Sequence, residues 1–426
     1  MKKHLLAITI PLLLVYCLLA ACNTAKEKEE QKMGKGVVAS GNYRNLFKEL
    51  LDKTDSEIDA KIDSAWNHLF YGTSNQKIYY EAGDGMAYIL NPGHNDIRSE
   101  GISYGMMICV QLDKKAEFDA LWKWAKTYMY HTSGQYKGYF AWQCETSGAK
   151  MDNGPAPDGE EFFVTALLFA AARWNNGEGI FNYGREARQI LYDMINRDTG
   201  TAPPLFDPLE KMIKFSPYVS YTDPSYHLPA FYEIWTKEII RGSGYWNDIW
   251  GSEEAAMTDA NFYKDAAQTS RSFLKKTTHP ETGLGPYLAE YDGTPRAGLN
   301  GNGAVEFDHD AWRIAANIGM DYSWWRVDPW QMEFADKIQA FFYSKGIYTY
   351  GSKWTLDGST VINNYNDLGL IACNAVASLA STTHAQAFVK QLWNAPFPTG
   401  KWRYYNGCLM MMGLLHCSGN YKAWLD

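Results

Sequence analysis

The chain of 426 residues has no C-x-x-C pair, no H-E-x-x-H helix and no G-x-G-x-x-G following a strand. Those absences remove the usual zinc, redox-dithiol and dinucleotide sites. Positive charge is also short. Forty Lys and Arg against 48 Asp and Glu give a net charge of −8 and no basic stripe, which excludes a protein that works by neutralising a nucleic-acid backbone. Apart from one segment at the start, long hydrophobic runs are missing. What is abundant is aromatic surface: 16 Trp, 29 Tyr and 19 Phe make up 15% of the chain. Most such rings pack into cores, but an excess suits stacking against flat, hydroxyl-rich ligands such as sugars.

The N-terminus carries Lys2-Lys3, an apolar run from Leu5 to Leu19, and Leu19-Ala20-Ala21-Cys22. This is the charged, apolar and small-residue order of a secretory signal, too short for a membrane span. Its end resembles a bacterial lipobox, which implies cleavage and acylation at Cys22 and a cell-envelope lipoprotein. Residues 23–42, rich in Lys, Glu and Gly, read as a flexible tether, and residues 43–426 as one folded domain. Five further cysteines remain: Cys109, Cys144, Cys373, Cys408 and Cys417. They read as buried small hydrophobes, with a Cys408–Cys417 bridge left open.

Helix-period apolar patterns dominate from there on. Twelve segments are predicted, near 56–69, 100–112, 114–130, 159–174, 183–195, 225–239, 258–277, 308–325, 328–345, 369–381, 384–395 and 403–418. A short strand is predicted at Gly346–Tyr350. Every second helix is small or apolar around most of its circumference, as Gly101–Val110 and Leu370–Ala380 are, so it is buried on all sides. The others carry a polar face. Six buried helices alternating with six amphipathic ones predict an all-α (α/α)6 barrel.

Each buried helix is preceded by polar residues: Glu100, Asp158, Asp223 with Tyr226, Asp308-His309-Asp310, Asn363 to Asp367, and Tyr404-Tyr405. Singly, acids at such positions are ordinary N-caps. Together, in a barrel of parallel inner helices, they converge on one mouth with Trp142. Several carboxylates beside aromatic platforms fit glycoside hydrolysis, in which a protonated acid serves the leaving oxygen and a carboxylate activates water. That chemistry needs Glu100 protonated, against the pull of its helix dipole. Asp308-His309-Asp310 as a metal cluster is the weaker alternative, and the expectation is no cofactor and no catalytic metal. Structural calcium on rim acids such as Asp152 or Asp357 stays open, and the scattered histidines, His94 among them, read as structural.

At these residues the sequence resembles glycoside hydrolase family 8, inverting (α/α)6 enzymes that act on β-1,4-linked xylan, cellulose or chitosan. SEGISYGMM (99–107), PAPDGEEFF (155–163), DPSYHLPAFYEIW (223–235) and HDAWRIAANIGMD (309–321) follow the family's motifs in order. The resemblance implies Glu100 as general acid, Asp310 as general base, Asp158 placing the sugar, Tyr226 placing the water, and Arg313 contacting sugar. Trp142, Tyr404 and Tyr405 are expected to bind substrate. The likeness is greatest to the branch that releases xylose from the reducing end of oligoxylans, which RYYNGCLMMMGLLHCSGNYKAW (403–424) also resembles. In that branch a Leu-His-Pro rim loop blocks the cleft; here the corresponding stretch reads Tyr365-Asn366-Asp367, so Tyr365 and Asn366 are expected to wall the cleft and bond the sugar. The alternatives are an endo-acting xylanase or glucanase of the same family and a non-catalytic glycan-binding lipoprotein. Expected partners are a xylan or xylo-oligosaccharide and, through the lipid alone, a membrane; the chain is expected to be a monomer.

Overall fold

The computed structural model describes residues 35–298 and 304–425. The signal sequence, the acylation site at Cys22 and most of the predicted tether lie outside the described residues. Twelve long helices follow one another among them. Six are outer: α1 (Asp55–Tyr71), α3 (Lys115–Trp124, continued by a π turn to Met129), α5 (Tyr183–Ile195), α7 (Glu253–Thr277), α9 (Trp330–Ser344) and α11 (Ala385–Asn394). Six are inner: α2 (Ser99–Gln111), α4 (Pro157–Trp174), α6 (Pro229–Arg241), α8 (Arg313–Trp325), α10 (Leu368–Ala377) and α12 (Arg403–Cys417). Each inner helix packs on the next, and α12 packs back on α2. The ring closes as an (α/α)6 barrel.

Local chemistry sets the ends. A capping box opens α1, with the Thr54 side chain accepting from Glu57 N and the Glu57 carboxylate accepting from Thr54 N, which satisfies two otherwise orphaned donors. Pro157 and Pro229 occupy first-turn positions of α4 and α6, where a missing N–H costs nothing. The inner helices approach so closely that glycine is required at their crossings. A Cβ on Gly319 would stand 2.6 Å from Val376 O, and one on Gly413 would stand 2.9 Å from Ala372 Cβ.

Two small antiparallel sheets lie at the rim. β1 (Tyr79–Gly83), β2 (Met86–Asn91), β3 (Asp96–Arg98), β4 (Gln143–Cys144) and β5 (Lys150–Asp152) pair in sequence order; β6 (Lys353–Trp354) pairs with β7 (Val361–Asn363). The first sheet aims the site: β3 runs directly into α2, and Ser99 N donates to Trp142 O at 3.0 Å.

Three expectations change. Gly346–Tyr350 is a turn, since Gly346 with φ +95° ends α9 and its carbonyl accepts from Thr349 N and Tyr350 N. The helices predicted at 225–239 and 308–325 each open with a separate 3-10 turn, Pro224–Tyr226 and His309–Trp312. Residues 36–40 of the predicted tether are packed against the barrel. Val37–Ser40 forms a helical turn with Val37 buried, and Gly36 lies so near Trp324 O that a Cβ would come within 2.2 Å. All five described cysteines are free and buried, so Cys408 and Cys417 are not bridged.

Candidate active site

The N-termini of the inner helices open into a cavity of about 710 Å³. Glu100, Asp158, Tyr226, Asp310, Trp142, Tyr404 and Tyr405 all line it, as their motif positions predict. Glu100 rises from α2 and Asp310 from the turn before α8. In a six-membered ring those two helices stand opposite each other.

Arg313 ties the acids together. From the first turn of α8 its Nη1 donates to Glu100 Oε2 at 3.2 Å, Asp158 Oδ2 at 2.9 Å and Tyr104 OH at 2.5 Å. Its Nη2 donates to Ser225 Oγ at 2.8 Å and lies 3.5 Å from Asp310 Oδ2. Arg313 is buried and does not line the cavity. The guanidinium lies beneath the floor, bonded to two carboxyls that line the cavity.

One cation cannot neutralise three carboxylates, and burial penalises each charge. Glu100 is accordingly pushed up to about 7, chiefly by burial, with Arg313 opposing and Asp158 and Asp310 adding to the rise. Tyr404 OH, donating to Glu100 Oε1 at 2.7 Å, pulls the other way. Burial also raises Asp158 against the same guanidinium. Asp158 lies in the first turn of α4, which has no side-chain N-cap, and its Oδ1 accepts from Gly159 N at 2.9 Å. Tyr226 is buried, lies parallel to Phe215 with ring centres 6.0 Å apart, and has its hydroxyl held protonated by burial and the surrounding carboxylates.

Other acids are held by local partners. Asp223 is fully buried and caps its 3-10 turn through Ser225 N at 2.7 Å. Asp308 is paired with His309 and with Lys353 Nζ at 3.2 Å, which accounts for it without a metal. Among the described residues no group of three or more His, Cys, Asp or Glu is placed to hold a metal ion. Asp357 accepts from Thr355 and Ser359 within its own turn; Asp152 accepts from Gly154 N and lines the cavity.

Tyr365 and Asn366 stand outside this lining. Tyr365 is 77% exposed, and neither residue lines the cavity. Asn366 is tied inward, donating to Tyr350 O at 2.9 Å and accepting from Gln391 Nε2 at 3.3 Å.

The structure adds residues that the motifs do not announce. Tyr287 hydrogen-bonds Asp310, whose charge, with burial, keeps the phenol protonated. It sits in an irregular segment with no periodicity to mark it. Trp402, 60% exposed, and His94 also face the cavity; Trp402 stands two residues before the tyrosine pair, separated from it by Arg403. Gly101-Ile102-Ser103-Tyr104-Gly105 spells the G-x-S-x-G string of a serine hydrolase. Ser103, however, is buried within α2 and donates to Glu100 O at 2.9 Å, so it forms no nucleophile elbow.

The family model "Glycosyl hydrolases family 8" matches residues 77–419. A reducing-end xylose-releasing exo-oligoxylanase, Rex8A of Paenibacillus barcinonensis, is 44% identical over 394 residues, covering 92% of this chain and 99% of that protein. Its structure with xylose superposes with a TM-score of 0.85 at 43% identity, over 92% of this chain and 100% of that one. A xylanase of Teredinibacter turnerae, solved as a catalytic mutant with xylohexaose, gives 0.84 at 45% identity, over 92% and 100%. Matched along its helical ring and along nearly the full length of such relatives, the chain belongs to glycosyl hydrolases family 8 and is a glycoside hydrolase.

Proposed function

We propose that the protein is an inverting glycoside hydrolase that cleaves β-1,4-xylosidic bonds and releases xylose from the reducing end of xylo-oligosaccharides. The observation that carries this reading is the pairing across Arg313 of a buried acid near pKa 7, Glu100, with a cavity-facing carboxylate, Asp310. Substrate identity is supported by the relatives named above, which act on or bind xylan fragments.

In this reading Glu100, protonated, gives its proton to the glycosidic oxygen. Asp310 takes a proton from a water that Tyr226 helps place, and that water attacks the anomeric carbon from the opposite face. Asp158 holds the sugar at the cleavage point. Acid and base on opposite sides of the mouth leave room for the water, as inversion requires, with carboxyls roughly 6.5–9.5 Å apart. NMR during hydrolysis of xylotriose should show the α-anomer appearing first. Initial β-anomer means retention and removes Asp310 from the role of base.

A second reading is an endo-xylanase, favoured by the xylanase neighbour and by Tyr365 and Asn366 standing off the cavity. Time courses on xylotetraose and polymeric xylan separate the two. Xylose with xylotriose first supports exo action; fast viscosity loss with longer fragments supports endo action.

The export reading rests on Leu19-Ala20-Ala21-Cys22 alone, and places the enzyme on the cell envelope by acylation of Cys22. Replacing Cys22→Ser should move it from the membrane to the soluble fraction.

A further inference from the structure

His309 stands between the cap of its turn and the base. Its backbone has φ +27°, a value that non-glycine residues rarely adopt and that persists only where the surroundings enforce it. They do so here from several directions. Asp308 Oδ1 accepts from His309 N at 3.0 Å and lies 2.7 Å from Nδ1. Lys353, on β6, fixes Asp308 and also bonds Glu306 at 2.9 Å. The imidazole lies over Trp312 at 5.1 Å and 23°, and Tyr405 OH donates to His309 O at 3.4 Å.

A side chain held this firmly nevertheless leaves 61% of itself exposed, on the cavity wall. The fold gains no core from it. With Nδ1 engaged by Asp308, the ring plane is set and Nε2 is the free edge; among the described residues nothing hydrogen-bonds that atom. Nε2 donates when the ring is charged and accepts when it is neutral, and a sugar hydroxyl satisfies both.

The side of the cleft can be read from the ring of helices. His309 touches Tyr405 at the start of α12, and Asp367, the N-cap of α10, acts on it electrostatically. Asp158 is on α4, opposite α10. If Asp158 holds the sugar at the cleavage point, as the proposed function has it, the sugar on the α10–α12 side is the leaving one.

We propose that His309 is a specificity-determining residue that hydrogen-bonds a ring hydroxyl of the leaving, reducing-end sugar through Nε2, its ring aimed by Asp308 and Lys353. This rests on the proposed function, and it assigns to His309 the contact that Asn366, turned inward, does not make.

The test compares xylotriose, whose leaving group is a sugar, with β-xylobiosyl fluoride, whose leaving group is not. Losing this hydrogen bond should lower kcat/KM on xylotriose about 10-fold in His309→Ala and His309→Asn, with a loss of no more than about threefold on the fluoride. His309→Asn guards against a folding defect, because Asn tolerates positive φ. His309→Gln, with an amide donor and acceptor, should recover part of the loss. Equal losses on both substrates mean that His309 only places Asp310 and overturn the proposal; so does no loss on either. A wild-type enzyme that cleaves neither compound overturns the functional reading and this proposal with it.

Discussion

Glu100 shows how one side chain can be governed by competing fields. It lies in the first turn of α2, where the helix dipole favours a charged carboxylate, and Arg313 favours it further. Burial and two neighbouring acids outweigh both, and the group stays protonated up to about pH 7. With Glu100 as the proposed proton donor, turnover should fall as pH rises through about 7. Tyr404→Phe removes a hydrogen bond that favours the charged form, so the alkaline limb of kcat should move to higher pH; a limb that stays put or moves down would assign it to another group. Glu100→Gln and Asp310→Asn should each lower kcat by about 10²–10⁴ with the circular dichroism spectrum intact. Unfolding in both variants would mean that these acids are caps and nothing more.

The same residues show what a sequence can and cannot disclose. Glu100, Asp158 and Asp310 were legible because each stands just before or within the start of a helix whose pattern is unambiguous. Arg313 was legible as a site residue, but its burial beneath the acids was not, since sequence order says nothing of depth. Tyr287 had no local signal.

At the scale of elements, helices were legible and strands were not, for one physical reason. Helical bonds are local, so apolar positions recur at a fixed spacing in the chain itself. β3 and β4 pair Ile97 with Cys144 across two whole helices, α2 and α3, and strands of two or three residues leave no period to read. The hairpin of β1 and β2 did leave one mark, Gly83-Asp84-Gly85 with φ of +78°, +49° and +67°, a turn signature. Breaks inside helices were also hidden: Trp312 and Arg313 continue an apolar pattern across the change from 3-10 to α. Close packing of the inner ring makes the strongest element-scale prediction. The atom that a Cβ on Gly319 would meet is a backbone oxygen of α10, which cannot rotate away. Gly319→Ala should cost about 1–3 kcal/mol in urea or guanidinium unfolding, although Ala is the better helix former. Unchanged or increased stability would show that α8 and α10 shift apart freely.

For the molecule as a whole, the interior holds ionisable groups whose shifts oppose each other across pH. Glu160 is fully buried on α4; it accepts from Phe140 N at 3.0 Å, its second oxygen has no partner among the described residues, and burial pushes it up to about 8. Its unfolded value is about 4.5, so the folded state holds a proton that the unfolded state releases. Its contribution is complete below about pH 4.5 and is lost as pH rises towards 8. His227 and His416 behave in the opposite way. Burial pushes both down to about 3 from 6.5, so the unfolded state takes up protons first, and stability is lost as pH falls from about 6.5 towards 3. Glu100 adds to the alkaline loss over its own window, up to about 7. The two trends cross between about pH 4.5 and 6.5, and Tm plotted against pH should peak there. Glu160→Gln keeps an acceptor for Phe140 N while removing the ionisation, so it should flatten the decline above the peak and leave the acid side unchanged. A decline of wild-type steepness in that variant would mean that Glu160 ionises in place without penalty, and that the interior around α4 is wetter than its packing indicates.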